Sequence, residues 1–209
     1  MMMLGFLSHF KLYPLNRSMK LSDLREHWEI IRDEALALES TYIQETPRPT
    51  GKWVANDPGG EIWKILKKYQ DGQSGWLKSG KDDVPSRWED WINYPLVWKG
   101  HELLGNCRTC PRTVELIRQI PGVSVAGFSL MKAGVKLDPH CDPLEDDYLC
   151  TYHLGLCVPD GCVLHHSVVG SVTEADGKHV AFDGRQEHWA ENRSSEDRII
   201  LYIEYVLHK

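Results

Sequence analysis

The sequence has no run of Lys and Arg of the kind that tracks a phosphate backbone, and its formal charge is negative: 24 basic against 30 acidic side chains, or −6. That argues against nucleic acid as principal partner. The opening stretch MMMLGFLSHFKLY has no basic start, no long apolar run and no clear cleavage site. No leader or membrane association is therefore expected, and the chain reads as cytoplasmic. A disulfide framework is also missing. The six cysteines, at 107, 110, 141, 150, 157 and 162, are spread through 209 residues, a chain well above the size that needs covalent staples, so reduced thiols are expected. Cys107 and Cys110 form a C-x-x-C, but no second pair completes a zinc site and no βαβ pattern surrounds them.

What is present is an ordinary globular composition, 42% apolar and 26% charged, enough for one domain with a sizeable core. Residues 21–40 place Leu24, Trp28, Ile31, Ala35 and Leu38 on one helical stripe, with Ser22 as N-cap and Trp28 as a packing residue. From 41 to 100 prolines and glycines are frequent and loops are expected, apart from a short helix around Glu61 to Tyr69. The tryptophans at 53, 63, 76, 88, 91 and 98 either anchor those loops or line a substrate mouth. Cys110 to Gly122 predicts another helix, with Pro111 in its first turn and Val114, Ile117 and Ile120 on one face.

From Val123 the apolar period changes to two. Strands are predicted over 123–131, 136–142, 148–158, 162–169, 178–183 and 198–207, separated by turn residues such as Ala133-Gly134, Pro143 and Asp176-Gly177. By that alternation Cys150 is a small core residue sharing a face with Tyr152, Leu154 and Leu156. Many short strands with such punctuation make a sandwich or a barrel. The fold class is mostly β with N-terminal α-helices. It reads as a single domain over 1–209, with 1–120 a helical and loop-rich support and 121–209 the β core.

That core carries a metal-site pattern. Side chains two apart on an extended strand share a face, so His140 and Asp142 reach one ion together. His188 supplies a third ligand. Two imidazoles and one carboxylate leave coordination positions open, which suits ferrous iron that binds a cosubstrate and dioxygen. Arg198, ten residues after His188, suits an anchor for the far carboxylate of 2-oxoglutarate, because a guanidinium grips a carboxylate through two parallel bonds. Its alternative is a surface ion pair with Glu196 or Asp197. His153 faces a side with small neighbours where a cosubstrate carboxylate fits; the alternative is a buried histidine bonded to backbone. His165 and His166 are adjacent, must face opposite ways and cannot serve one metal. With His101 and His179 they receive no role. Asp183, beside a turn, is expected to bond its own backbone.

The segments PHCDP, YHLGLCVPDGC and VAFDGRQEHWAENRSSEDR resemble, without gaps, the aspartyl/asparaginyl β-hydroxylase family of 2-oxoglutarate-dependent oxygenases. HWEIIRDEALAL is similar to the helix that opens the family's catalytic domain. The resemblance implies a double-stranded β-helix, a jelly-roll, cupin-like barrel. It implies iron at His140 and His188, and 2-oxoglutarate contacts at Ser129, His153 and Arg198. The implied reaction hydroxylates an unactivated C–H bond of an amino acid, peptide or small metabolite, consuming Fe(II)-bound 2-oxoglutarate and O2 and releasing succinate and CO2. Two departures matter. The family's best-known animal members have Gly where this chain has Asp142, so a third protein ligand is gained. The family also commonly has Arg where this chain has Thr151, which puts an acidic substrate in doubt. The competing reading is a non-redox, metal-binding cupin-like barrel, a sensor or isomerase, in which Arg198 is structural.

Overall fold

The structure is a computed structural model that describes residues 19–44, 61–78, 90–142 and 149–206. The opening residues, Trp53, Trp88 and the turn at Pro143 lie outside that set, as does the side chain of Trp63. A 3-10 segment, Leu21–His27, leads into α1, Trp28–Leu36. Then come β1 (Tyr42–Gln44), α2 (Glu61–Gln70), β2 (Trp76–Lys78), β3 (Trp91–Trp98), β4 (His101–Glu102), α3 (Leu104–Cys107) and α4 (Pro111–Ile117). The remainder is strand: β5 (Val123–Met131), β6 (Leu149–Cys157), β7 (Cys162–His166), β8 (Gly170–Thr173), β9 (His179–Phe182), β10 (His188–Asn192) and β11 (Arg198–Val206).

The larger sheet has the order β1-β2-β3-β5-β11-β6-β9, with β4 on β3; the smaller is β10-β7-β8. From β5 onward the chain crosses repeatedly between the two sheets, the winding of a double-stranded β-helix. Alternation along each strand gives the larger sheet two different faces. On one, Ile199, Leu201 and Ile203 join Phe128, Tyr152 and Leu154, and Leu24, Ile31, Val114 and Ile117 from the helical layer cover them. Burying each Leu or Ile there contributes about 1.5–3 kcal/mol. The opposite face meets the smaller sheet through Met131, Phe182, Leu164 and Ala190. Between the sheets lie Ser129, Thr151, His153, His188 and Arg198, all buried and polar.

The structure departs from the sequence reading in several places. Residues 136–142 form no continuous strand; they touch β10 through isolated bridges, Lys136 to Glu191 and His140 to His188. Pro139 has no N–H to give, which interrupts the ladder. Strands β8 and β10 have no signature in the sequence, because GSVT is an exposed edge and HWAEN lacks apolar alternation. The 41–100 region is less loop-like than expected: β3 lies inside the larger sheet, and its register shifts between Pro95 and Val97. Ser22 is not the N-cap. Lys20 holds that position, and its backbone N–H donates to Asp23 at 3.1 Å.

Two further expectations concern the aromatic and thiol groups. Trp76 is buried edge-on against Tyr94, an anchor rather than part of a substrate mouth. Cys107 and Cys110 are free and buried, and burial pushes both thiols up to about 12, so they are inert. Cys150 is only half-buried, unlike Tyr152 and Leu154 beside it. Among the described residues no helix is long and apolar enough to cross a membrane.

Candidate metal centre

Residues 135–140 run antiparallel to β10. Asn192 N–H donates to the Val135 carbonyl at 2.8 Å and Leu137 N–H to Ala190 at 2.9 Å. His140 and His188 then exchange both backbone bonds, at 3.0 and 2.9 Å. This register sets the two imidazoles side by side, with ring centroids 4.5 Å apart. Each ring is oriented by a carbonyl two residues earlier: His140 Nδ1 lies 2.8 Å from the Asp138 oxygen and His188 Nδ1 2.9 Å from that of Gln186. A carbonyl only accepts, so the proton sits on Nδ1 and each Nε2 keeps its lone pair for a metal.

Asp142 is held by its own N–H, which donates to the Gly184 carbonyl at 2.8 Å. A Cβ on Gly184 would come within 2.8 Å of Asp142 Oδ2 and 2.7 Å of Thr151 Oγ1, so a larger residue there would displace one of these side chains. The carboxylate lies 3.8 Å from His140 Nε2 and 3.6 Å from His188 Nε2. Those gaps exceed a direct hydrogen bond and leave room for a shared cation. The ligand atoms of His140, Asp142 and His188 all lie within 4.8 Å of one another. Burial lowers the His188 pKa, which favours the neutral imidazole that binds metal. Two imidazole nitrogens and one carboxylate fit a borderline divalent ion such as ferrous iron.

The other histidines are committed elsewhere. His166 Nδ1 accepts from the N–H groups of Val168 and Val169, and its Nε2 faces the Asp183 carbonyl at 3.1 Å. No lone pair remains for a metal. His165, on the opposite side of β7, stacks on Trp189 at 4.7 Å. Asp183 accepts from the Arg185 N–H, as its turn position implies.

Ser129, His153 and Arg198 all point between the sheets, and each already has a partner. Ser129 Oγ accepts from Trp91 Nε1 at 2.7 Å, which ties Trp91, among the described tryptophans, to a residue assigned to the site. Arg198 does not pair with Asp197, which holds Lys132 instead. Its Nε and Nη2 donate to the two carboxylate oxygens of Glu174 at 2.8 and 2.5 Å. His153 Nδ1 lies 3.4 Å from the same carboxylate. Burial alone would raise the Glu174 carboxyl, but Arg198 and His153 outweigh it and hold the group at about 2. Glu174 reaches inward because Gly155 has no Cβ: one there would sit 2.1 Å from the Ala175 carbonyl.

Sequence reasoning missed Glu174, since VTEADG reads as an exposed acidic turn. The available signal was Arg198 itself: a guanidinium buried in an apolar strand needs a counter-charge. Also missed was Glu204, which accepts from Tyr202 at 2.6 Å and lies opposite Thr151 in the sheet register. Burial raises its carboxyl, with Asp142 adding to the effect.

The family model described as Aspartyl/Asparaginyl beta-hydroxylase matches residues 25–207. The chain belongs to that family. Among curated relatives, an ornithine lipid ester-linked acyl 2-hydroxylase from Rhizobium tropici is 33% identical over 124 residues, covering 55% of this chain and 43% of its own. Aspartate beta-hydroxylase domain-containing protein 1 from Mus musculus is 30% identical over 160 residues, covering 67% of this chain and 41% of its own. The chain therefore spans less than half the length of these two relatives. Among solved structures, a DMSP lyase from Ruegeria pomeroyi aligns with a TM-score of 0.41 at 12% identity, over 59% of this chain and 51% of that one. A cupin-superfamily sugar phosphate isomerase from Silicibacter pomeroyi gives 0.37 at 13%, over 60% and 68%.

Proposed function

We propose that the protein is an iron(II)-dependent dioxygenase that hydroxylates an unactivated C–H bond, with a 2-oxo acid as co-reductant. The observation that carries this reading is the convergence of His140 Nε2, Asp142 and His188 Nε2 within 4.8 Å, with both Nδ1 atoms tied to carbonyls. Family membership supplies the reaction type, and 2-oxoglutarate is the cosubstrate that the resemblance implies. In the overall balance one oxygen atom of O2 enters the substrate as a hydroxyl. The other enters the carboxylate formed when the 2-oxo acid loses CO2.

Bound iron would supply the dioxygen chemistry. The protein supplies orientation and dryness. Cross-strand pairing fixes both imidazoles, and their carbonyl partners keep the Nε2 lone pairs aimed at one point. Phe182 packs edge-on against His153, His166 and His188, with centroids 5.1 to 5.5 Å away, and forms an apolar wall. Such a wall keeps water from reactive species.

For the substrate, the family resemblance implies an arginine where this chain has Thr151, and the neighbouring group here is the buried carboxyl of Glu204. An acidic substrate group is disfavoured beside it, so a neutral or basic amino acid, a peptide or a small metabolite is the proposed class. A screen of such compounds for stimulated CO2 release from the 2-oxo acid, with one hydroxyl added per CO2, tests the reading. A second reading, a non-redox metal-binding barrel, draws on the Arg198–Glu174 pair, which gives Arg198 a structural role; it foresees metal binding without 2-oxo acid turnover.

A further inference from the structure

Resting on the reading of Arg198 as the seat for the cosubstrate's tail, we infer that Glu174 already fills that seat. The site therefore selects 2-oxo acids with an uncharged tail over those with a second carboxylate. Arg198 is 2% exposed and Glu174 8% exposed. Both oxygens of Glu174 engage one edge of the guanidinium, and the same carboxylate faces His153 Nδ1. Two of the three groups expected to hold the far end of 2-oxoglutarate are thus turned toward a carboxylate of the chain itself. The third, Ser129, accepts from Trp91.

The charge count decides the preference. Arg198 contributes +1 and Glu174 −1, and burial favours neutral His153, so the seat sums to zero. A second carboxylate would leave it at −1 inside a buried site, where like charges are poorly screened. A methyl-ended tail adds no charge and leaves the pair intact. Glu174 is also not loosely placed. Its segment is clamped to β6 by Gly177 N–H to the Gly155 carbonyl and Gly155 N–H to the Lys178 carbonyl, both 2.9 Å, and by Val158 N–H to Asp176 Oδ1 at 2.7 Å.

A swung state of Glu174 is separable from this one by experiment. A cavity of about 260 Å³ touches Glu174 and His153, with Arg25 and Lys178 also on its wall. A Glu174 side chain that swung into it would release Arg198 for 2-oxoglutarate.

The test titrates the anaerobic, iron(II)-loaded full chain with 2-oxoglutarate and with 2-oxopentanoate, which has the same carbon chain but ends in a methyl group. Binding is read from the visible charge-transfer band and by calorimetry. The wild type is expected to bind 2-oxopentanoate at least as tightly as 2-oxoglutarate, and Glu174→Gln to shift the ratio about tenfold or more toward 2-oxoglutarate, the scale expected for one buried charge. A wild type that prefers 2-oxoglutarate by tenfold, with no change of ratio in Glu174→Gln, overturns the inference and indicates the swung state. If Glu174→Gln does not fold, the wild-type ratio alone decides. Iron binding with no response to either acid overturns the cosubstrate reading itself, and this inference with it.

Discussion

His140 and His188 face each other across two antiparallel segments, each donating its backbone N–H to the other's carbonyl. The side chains of such a directly opposed pair lie on the same face, so the main-chain register alone brings two imidazoles to one point. The Nδ1 bonds then fix which nitrogen each ring presents. The candidate metal centre is therefore a property of strand pairing before it is one of side-chain packing.

Replacing either imidazole should remove the ion. His140→Ala and His188→Ala are each expected to weaken iron(II) binding by more than about a hundredfold, beyond the usual loss from a supporting group. Equilibrium metal titration of folded protein checks this. Near-native affinity in both variants would place the ion elsewhere.

Asp142 completes the triad through its contact with Gly184. Asp142→Ala is expected to lower iron affinity severely while leaving the fold intact, since the side chain is not part of either apolar cluster. Full iron occupancy in this variant would make Asp142 a group that acts through bound water rather than a ligand.

Gly155 can be tested through stability. A methyl group there meets the Ala175 carbonyl at 2.1 Å, so Gly155→Ala is expected to cost about 1–3 kcal/mol as overpacking. For a chain of this size that is a fall in Tm of roughly 2–12 °C. An unchanged melting curve would mean that the turn carrying Glu174 is not pressed against β6.

Acid should act on the Glu174–Arg198 pair with a definite sign. The Glu174 carboxyl falls from an ordinary 4.5 to about 2 on folding, so its stabilisation is complete above about pH 4.5 and fades as pH falls through 2. The shift corresponds to a contribution on the order of 3 kcal/mol. Denaturant curves of wild type and Glu174→Gln should differ most near neutrality and converge on acidification. A gap that stays constant from pH 6 to pH 2 would contradict the pairing.

Much of this was legible in the sequence because two signals were strong. The period-two apolar pattern of RIILYIEYV and LCTYHLGLC locates β11 and β6, and with them the faces that carry Arg198 and His153. The triplet His140-Cys141-Asp142 stands two residues apart for a local reason that survives even though 136–142 is not a regular strand. Less was legible where tertiary structure overrides local preference. HWAEN looks like a loop, yet it is β10, because buried polar groups such as Asn192 pay their desolvation through bonds to the Met131, Lys132 and Glu196 carbonyls. WINYPLVW contains a proline, which argues against a sheet interior, and the bulge after Pro95 is how the sheet accommodates it. Glu174 is invisible locally, since its burial depends on Gly155, two strands earlier in the chain but directly against its segment in space.

The most direct test of the iron and 2-oxo acid site is the anaerobic visible spectrum of the iron(II)-loaded protein as a 2-oxo acid is added. A charge-transfer band that grows with the acid in wild type and is absent from His188→Ala is the expected result. A wild type that holds one iron per chain yet shows no spectral change with any 2-oxo acid would contradict it.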